Sequence, residues 1–180
     1  MQRKTLLKIL LFFSIVVSLA SCRSVQTGNP NLYDPVQVSH LSQKLGIPLK
    51  NTNKDDDKNM KLYAECSLWM GVKYRYGGTT KRGVDCSGLA LNIYKNAYGK
   101  SIPRSTTDLS AKVKTISKGS LYAGDLVFFA TTNNKKKPTH VGIYLKDGYF
   151  IHASTSRGVV VNHLDENYYK KNWLKAGRIR

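Results

Sequence analysis

The sequence predicts an α+β domain, with N-terminal helices packed on a mostly antiparallel sheet of about five strands. Apolar residues recur at helical spacing in the first half of the chain. From Gly124 onward they form short β-rich runs separated by turn residues. Helices first and strands afterwards is the order of an α+β fold, whereas alternating units would signal a parallel α/β sheet.

In chain order, residues 36–45 form a short helix that stops at Gly46. The polar run that follows contains Asp55-Asp56-Asp57. It lacks the alternating oxygen ligands and the glycine of a calcium loop, so carboxylates opening a helix account for it better. That helix covers about residues 59–70, with Met60, Tyr63, Cys66 and Met70 on one stripe. Cys66 on that stripe is a small buried residue. Residues 72–78 are extended and end in paired glycines. A second helix, 86–98, buries Leu89, Ala90, Ile93 and Ala97; Asp85 caps its start and Gly99 its end. Strands are expected at 125–130, 140–145, 149–154, 159–162 and 176–179.

The N-terminus reads as an export signal. Arg3, Lys4 and Lys8 flank and lead into an apolar run at 9–20, which is shorter than the ~20 residues needed to span a bilayer. Leu19-Ala20-Ser21-Cys22 resembles the lipobox of bacterial lipoproteins. By that resemblance residues 1–21 are a lipoprotein signal peptide and Cys22 is the lipidated first residue of the mature chain. Several acyl chains hold a protein firmly on a membrane. Arg23 and Ser24 follow where some Gram-negative bacteria place an inner-membrane aspartate, which favours the outer membrane, facing the periplasm. Residues 22–58 then form the anchor tether and an N-terminal extension, and 59–180 the catalytic domain.

The formal net charge is +18, and losing the three cations of the signal leaves +15. Export makes nucleic acid an unsuitable partner for this charge; anionic material of the cell envelope is the natural one.

Cys86 stands at the first turn of its helix, in Gly83-Val84-Asp85-Cys86-Ser87-Gly88-Leu89. Unpaired N–H groups there favour a thiolate and can hold an oxyanion, so a lowered thiol pKa is expected. A base is available on two adjacent strands, where Lys146-Asp147-Gly148 links His140 to His152. A two-residue turn at Asp147-Gly148 sets Ile143 opposite His152, with the histidines on opposite faces. A three-residue loop sets Gly142 opposite His152, with both rings on one face as diagonal neighbours. The second register is the expectation. His140 then takes the thiol proton and His152 orients it. Competing readings are a Cys66–Cys86 disulfide, ordinary half-buried strand histidines, and a zinc site of Cys86, His140 and His152 that lacks the usual ligand spacing. No metal or other cofactor is expected.

The blocks Gly71-Val72-Lys73-Tyr74-Arg75-Tyr76-Gly77-Gly78, Asp85-Cys86-Ser87-Gly88, Pro103-Arg104-Ser105-Thr106, Gly124-Asp125-Leu126-Val127-Phe128-Phe129, His140-Val141-Gly142-Ile143-Tyr144 and Ile151-His152-Ala153-Ser154 resemble, in this order, the NlpC-type cysteine peptidases of the bacterial cell wall. The resemblance implies a pared-down papain-like fold and assigns Cys86 as nucleophile, His140 as base and His152 as the third, orienting residue. It places Tyr74 in the site, assisting the oxyanion. Asp85, Ser87 and Ser105 line the substrate side, with Asp85 able to meet a free amine. The implied activity is that of a cysteine endopeptidase cutting a peptide bond next to diaminopimelate, in peptidoglycan stem peptides or cross-links, through a thioester. The alternatives are a non-catalytic wall-binding lipoprotein scaffold, and an amidase or acyltransferase on the same fold.

Overall fold

Helix-capping chemistry sets the first half of the fold. The structure, a computed structural model, describes residues 33–179, so the expected signal peptide and Cys22 lie outside the described residues. Helix α1 (Pro35–Leu45) starts where the Asp34 carboxylate accepts the Val36 N–H, and ends at Gly46 with φ 65°. Asn53 caps α2 (Lys54–Lys58), whose first turn holds the three aspartates. Asn59 then joins it to α3 (Met60–Trp69), which buries Met60, Tyr63 and Cys66.

Val38, Leu41 and Leu45 of α1 share the main core with α3, so α1 packs with the rest of the folded unit. The middle aspartate fixes this docking. Asp56 is buried and accepts the Lys146 ammonium on both oxygens, at 2.7 and 2.6 Å, and the Lys50 N–H at 2.8 Å.

A small hairpin, β1 (Thr79–Thr80) and β2 (Gly83–Val84), leads into α4 (Cys86–Tyr98), followed by α5 (Thr106–Lys112). The strands β3 (Lys114–Ile116), β4 (Leu126–Phe129), β5 (His140–Lys146), β6 (Tyr149–Ser154), β7 (Gly158–His163) and β8 (Trp173–Arg178) build one antiparallel sheet, with α6 (Asn167–Asn172) preceding the last. Its order is β3-β8-β4-β5-β6-β7. The sixth strand, beyond the five expected, is β3, a largely exposed Lys-Thr-Ile edge with no alternation to reveal it.

One face of the sheet, through Phe128, Val141, Ile143 and Ile151, packs on α3 and α4. The other gathers Val127, Phe129, Phe150 and Tyr169 into a second cluster.

The β5–β6 hairpin reaches the expected register by a different route. Its turn has two residues, Asp147 (φ 48°) and Gly148 (φ 84°), between paired Lys146 and Tyr149. The register then slips by one between Tyr144 and Lys146, so that Tyr144 faces Phe150 and Ile143 faces Ile151. A bulge at Leu145 therefore supplies the shift assigned to a longer loop. Continuing the ladder sets Gly142 beside His152. An added Cβ at Gly142 would lie 2.6 Å from Phe150 Cδ2 and 2.9 Å from the Ile151 carbonyl oxygen. The Phe150 ring fills that space and stacks on His152, with centroids 5.1 Å apart.

Two stability predictions follow from these contacts. Lys146→Ala leaves the Asp56 carboxylate buried without its cation and should cost about 3–5 kcal/mol in urea unfolding. Gly142→Ala must displace Phe150 and should cost about 1–3 kcal/mol. Its chemical-shift changes should centre on Phe150 and His152.

Candidate active site

Asp85 starts α4 as a cap, its Oδ1 accepting the Gly88 N–H at 2.7 Å, and so places Cys86 in the first turn. The Cys86 sulfur is buried, 3.6 Å from Thr106 Oγ1 at the start of α5, and lies against the backbone N–H groups of Val141 and Ser87. Among the described residues the Cys86 N–H meets no acceptor. Cys66 and Cys86 are both free thiols, which removes the disulfide reading. Burial pushes the Cys66 thiol pKa far up, as suits an inert core residue.

The two histidines meet on one face of the sheet. His140 Nε2 lies 2.9 Å from His152 Nδ1. His152 is 2 % exposed, and its Nε2 lies 3.0 Å from Asn162 Oδ1 and 2.9 Å from the Tyr169 hydroxyl. Asn162 cannot be turned round. Its Nδ2 donates to both Glu166 oxygens at 2.8 Å, while Arg157 Nη2 donates to its Oδ1 at 2.9 Å.

An amide oxygen only accepts, so His152 Nε2 must carry a hydrogen. Neutral His152 then has a bare Nδ1, which accepts the His140 Nε2–H. The lone pair of neutral His140 is left on Nδ1, and the tautomer of the base is thereby fixed.

The electrostatics differ from the expectation of a thiolate. Burial raises the Cys86 pKa; contacts with Thr106, Val141 and Ser87 oppose this, and the Asp85 charge adds to it. Burial, with His152 as neighbour, lowers His140 to about 3. Burial also lowers His152 to about 4; the Arg157 cation adds to this, and Asn162 and Glu166 oppose it. A helix terminus is worth about 0.3–1 kcal/mol to an anion, up to ~2 when partly buried, whereas burying a charge costs several. The resting pair is therefore neutral thiol and neutral imidazole.

Tyr74, held by a bridge to Val84, is half-buried. Its phenol pKa is raised by burial first and then by the nearby Cys86 and Asp85. Asp85 itself is occupied by the chain. Arg104 grips both its oxygens, Nη1 to Oδ1 at 2.9 Å and Nη2 to Oδ2 at 2.7 Å, and the Gly77 N–H donates at 2.9 Å. Burial alone would raise the Asp85 pKa, but these donors and the Gly88 N–H bring it below the usual carboxylate range.

The Ser87 hydroxyl donates to Asp85 and accepts from Arg104. Asp85 and Ser87 thus form a buried knot beside Cys86, with both Asp85 oxygens accepting from groups of the chain. Ser105 caps α5 and donates to Asp108 Oδ2 at 2.6 Å; its neighbour Thr106 is the residue that reaches the sulfur.

Sequence reasoning missed Arg104, Thr106, Arg157, Asn162, Glu166 and Tyr169. Asn162 left one signal, as the polar residue that ends a Val-Val-Val run on a buried strand. Among the described residues no group of three His, Cys, Asp or Glu side chains is arranged to hold a metal ion.

This geometry has relatives. Murein DD-endopeptidase MepS/Murein LD-carboxypeptidase of Escherichia coli (strain K12) is 37% identical over 130 residues, which are 72% of this chain and 68% of that protein. Probable endopeptidase NlpC of the same organism is 45% identical over 111 residues, 62% of this chain and 71% of that one. Among solved structures, an NlpC/P60 family protein from Bacillus cereus ATCC 10987 superposes with a TM-score of 0.61 at 33% identity, covering 66% of this chain and 39% of that one. The present chain thus spans about two fifths of that structure. Residues 71–178, from the segment that carries Tyr74 through β8, match the NlpC/P60 family, and the chain belongs to it.

Proposed function

We propose that this protein is a cell-wall hydrolase, a cysteine endopeptidase that cuts a peptide bond beside diaminopimelate in peptidoglycan stem peptides or cross-links. The observation that carries the reading is the His140–His152 contact, whose fixed tautomer leaves a basic nitrogen on the histidine next to Val141, whose N–H meets the Cys86 sulfur. The relatives named as murein endopeptidases supply the substrate class.

Cys86 gives its proton to His140 Nδ1 as the sulfur attacks the carbonyl carbon, and the Cys86 N–H and Tyr74 face the oxygen that becomes negative. The C–N bond then breaks, and His140 returns the proton to the departing amine. His140 next deprotonates a water, which attacks the thioester and releases a carboxylate and the free thiol. His152, held neutral by burial, keeps His140 in the working tautomer throughout. Asp85 and Arg104 hold the start of α4 beneath the sulfur. In this reading residues 1–21 are removed, and the acylated Cys22 anchors the enzyme in the cell envelope, at the outer membrane facing the periplasm.

Digestion of purified sacculi, followed by mass spectrometry of the products, tests the reaction. Wild type should convert cross-linked dimers to monomers or release free stem fragments, and Cys86→Ala should lower the rate by at least about 10³-fold. Equal rates for the two proteins would remove the peptidase reading.

The pH profile tests the proton inventory. Both imidazoles have lowered pKa values, so the neutral pair persists as pH falls through the ordinary 6.5 and is lost only near 4 and 3. Turnover of a soluble peptide should therefore hold from pH 7 to about 5 and fall below that, recovering on return to pH 7. An acid limb centred at 6.5 would contradict the buried neutral dyad.

A further inference from the structure

A cavity of about 390 Å³ opens beside the histidine dyad, walled by His140, His152, Ser154, Ser156, Arg157 and Tyr168. Its lining contains no acidic side chain, and Arg157 supplies its one full positive charge. Arg157 is exposed and makes no ion pair among the described residues; one of its five N–H groups holds Asn162 Oδ1. The nearest acid in the network, Glu166, is occupied by Asn162 and the His163 N–H.

This placement bears on the mechanism. The dyad must become cationic when it takes the thiol proton; the Arg157 guanidinium opposes that change, and Glu166, across Asn162, offsets it from the far side. The same cation contributes to the lowered His152 pKa. A bound anion would cancel the opposition, and hydroxyls and a forked guanidinium are the donors that suit a carboxylate. The cavity adjoins His140, which protonates the departing amine, so the anion belongs to the departing half of the substrate.

We propose that this cavity is a subsite for a free carboxylate on the leaving side of the scissile bond, paired with Arg157 and bordered by the hydroxyls of Ser154 and Ser156. The inference rests on the cysteine-peptidase reading and names the part of the substrate which that reading leaves open. Peptides whose departing residue bears a free carboxylate are then the preferred substrates. The carboxylate both binds and eases charging of the dyad, so it acts on kcat as well as KM.

The test compares two synthetic stem peptides that differ only at the departing residue, as free carboxylate or carboxamide. Wild type should favour the carboxylate by about tenfold in kcat/KM. Arg157→Gln should bring the ratio near one; the ratio is the readout, because the arginine also holds Asn162 and its loss lowers turnover of both peptides. If Arg157→Gln lowers both peptides equally, the arginine serves only to hold Asn162 and the subsite is overturned. A wild type that does not discriminate overturns it as well.

Calorimetric binding of the same pair to Cys86→Ala protein separates this question from turnover. Tighter binding of the carboxylate, weakening with salt, upholds the subsite even if neither peptide is cut. Equal affinities overturn it even if both are cut.

Discussion

The orientation of one amide, Asn162, governs the chemistry of the whole site. Its nitrogen is committed to the Glu166 carboxylate and its oxygen to Arg157 and His152, so it presents an acceptor to His152 and cannot flip. Each hydrogen bond further along has a direction dictated by the previous one, until the lone pair on His140 Nδ1 is specified. A neutral imidazole in the third position can orient a base, but it contributes no charge to stabilise it. The carboxylate in this system, Glu166, sits one residue further out, where it fixes geometry instead of countering the imidazolium directly.

Burial decides the charge state, and it does so against the helix. A cysteine at a helix start suggests a thiolate, yet the sulfur lies deep in the site and close to Asp85. The desolvation cost exceeds the terminal field, so the helix serves mainly to position the sulfur and to offer the Cys86 N–H. Positioning is strict because Asp85 is itself held by five donors from three segments: Gly77, then Ser87 and Gly88, and the Arg104 fork. A carboxylate so completely engaged acts as a rivet between the β1–β2 hairpin, α4 and the segment before α5.

What the sequence made legible was local. Helices α1 and α4 could be read with the caps Gly46, Asp85 and Gly99 because these act on backbone groups within a few residues. Cys86 at its helix start and the facing histidine pair were legible from the cap residue and the strand spacing. Edge strand β3 and the short helices α5 and α6 were not, since a few half-exposed residues carry no period. The hairpin gave the right facing by the wrong device: Asp147-Gly148 does form a two-residue turn, and nothing local to Leu145 announces the bulge that corrects it. Arg104, Arg157 and Tyr169 acquire their roles only by long-range proximity. The engagement of Asp85 by Arg104 was hidden for the same reason, because the two lie nineteen positions apart in sequence.

The two arginines show how a strongly basic protein can run a reaction that transiently creates a buried cation. Arg104, close to Cys86, is paired with Asp85. Asp125 similarly binds Arg178, and Asp56 binds Lys146, each at the edge of the core. Every buried aspartate in these pairs cancels one cation where solvent cannot screen it. Arg157 departs from this pattern: it makes no direct ion pair among the described residues, and Glu166 reaches it only across Asn162. In the proposed subsite a substrate carboxylate becomes its direct partner. Selectivity and activation then share one physical origin, a negative charge brought beside the base.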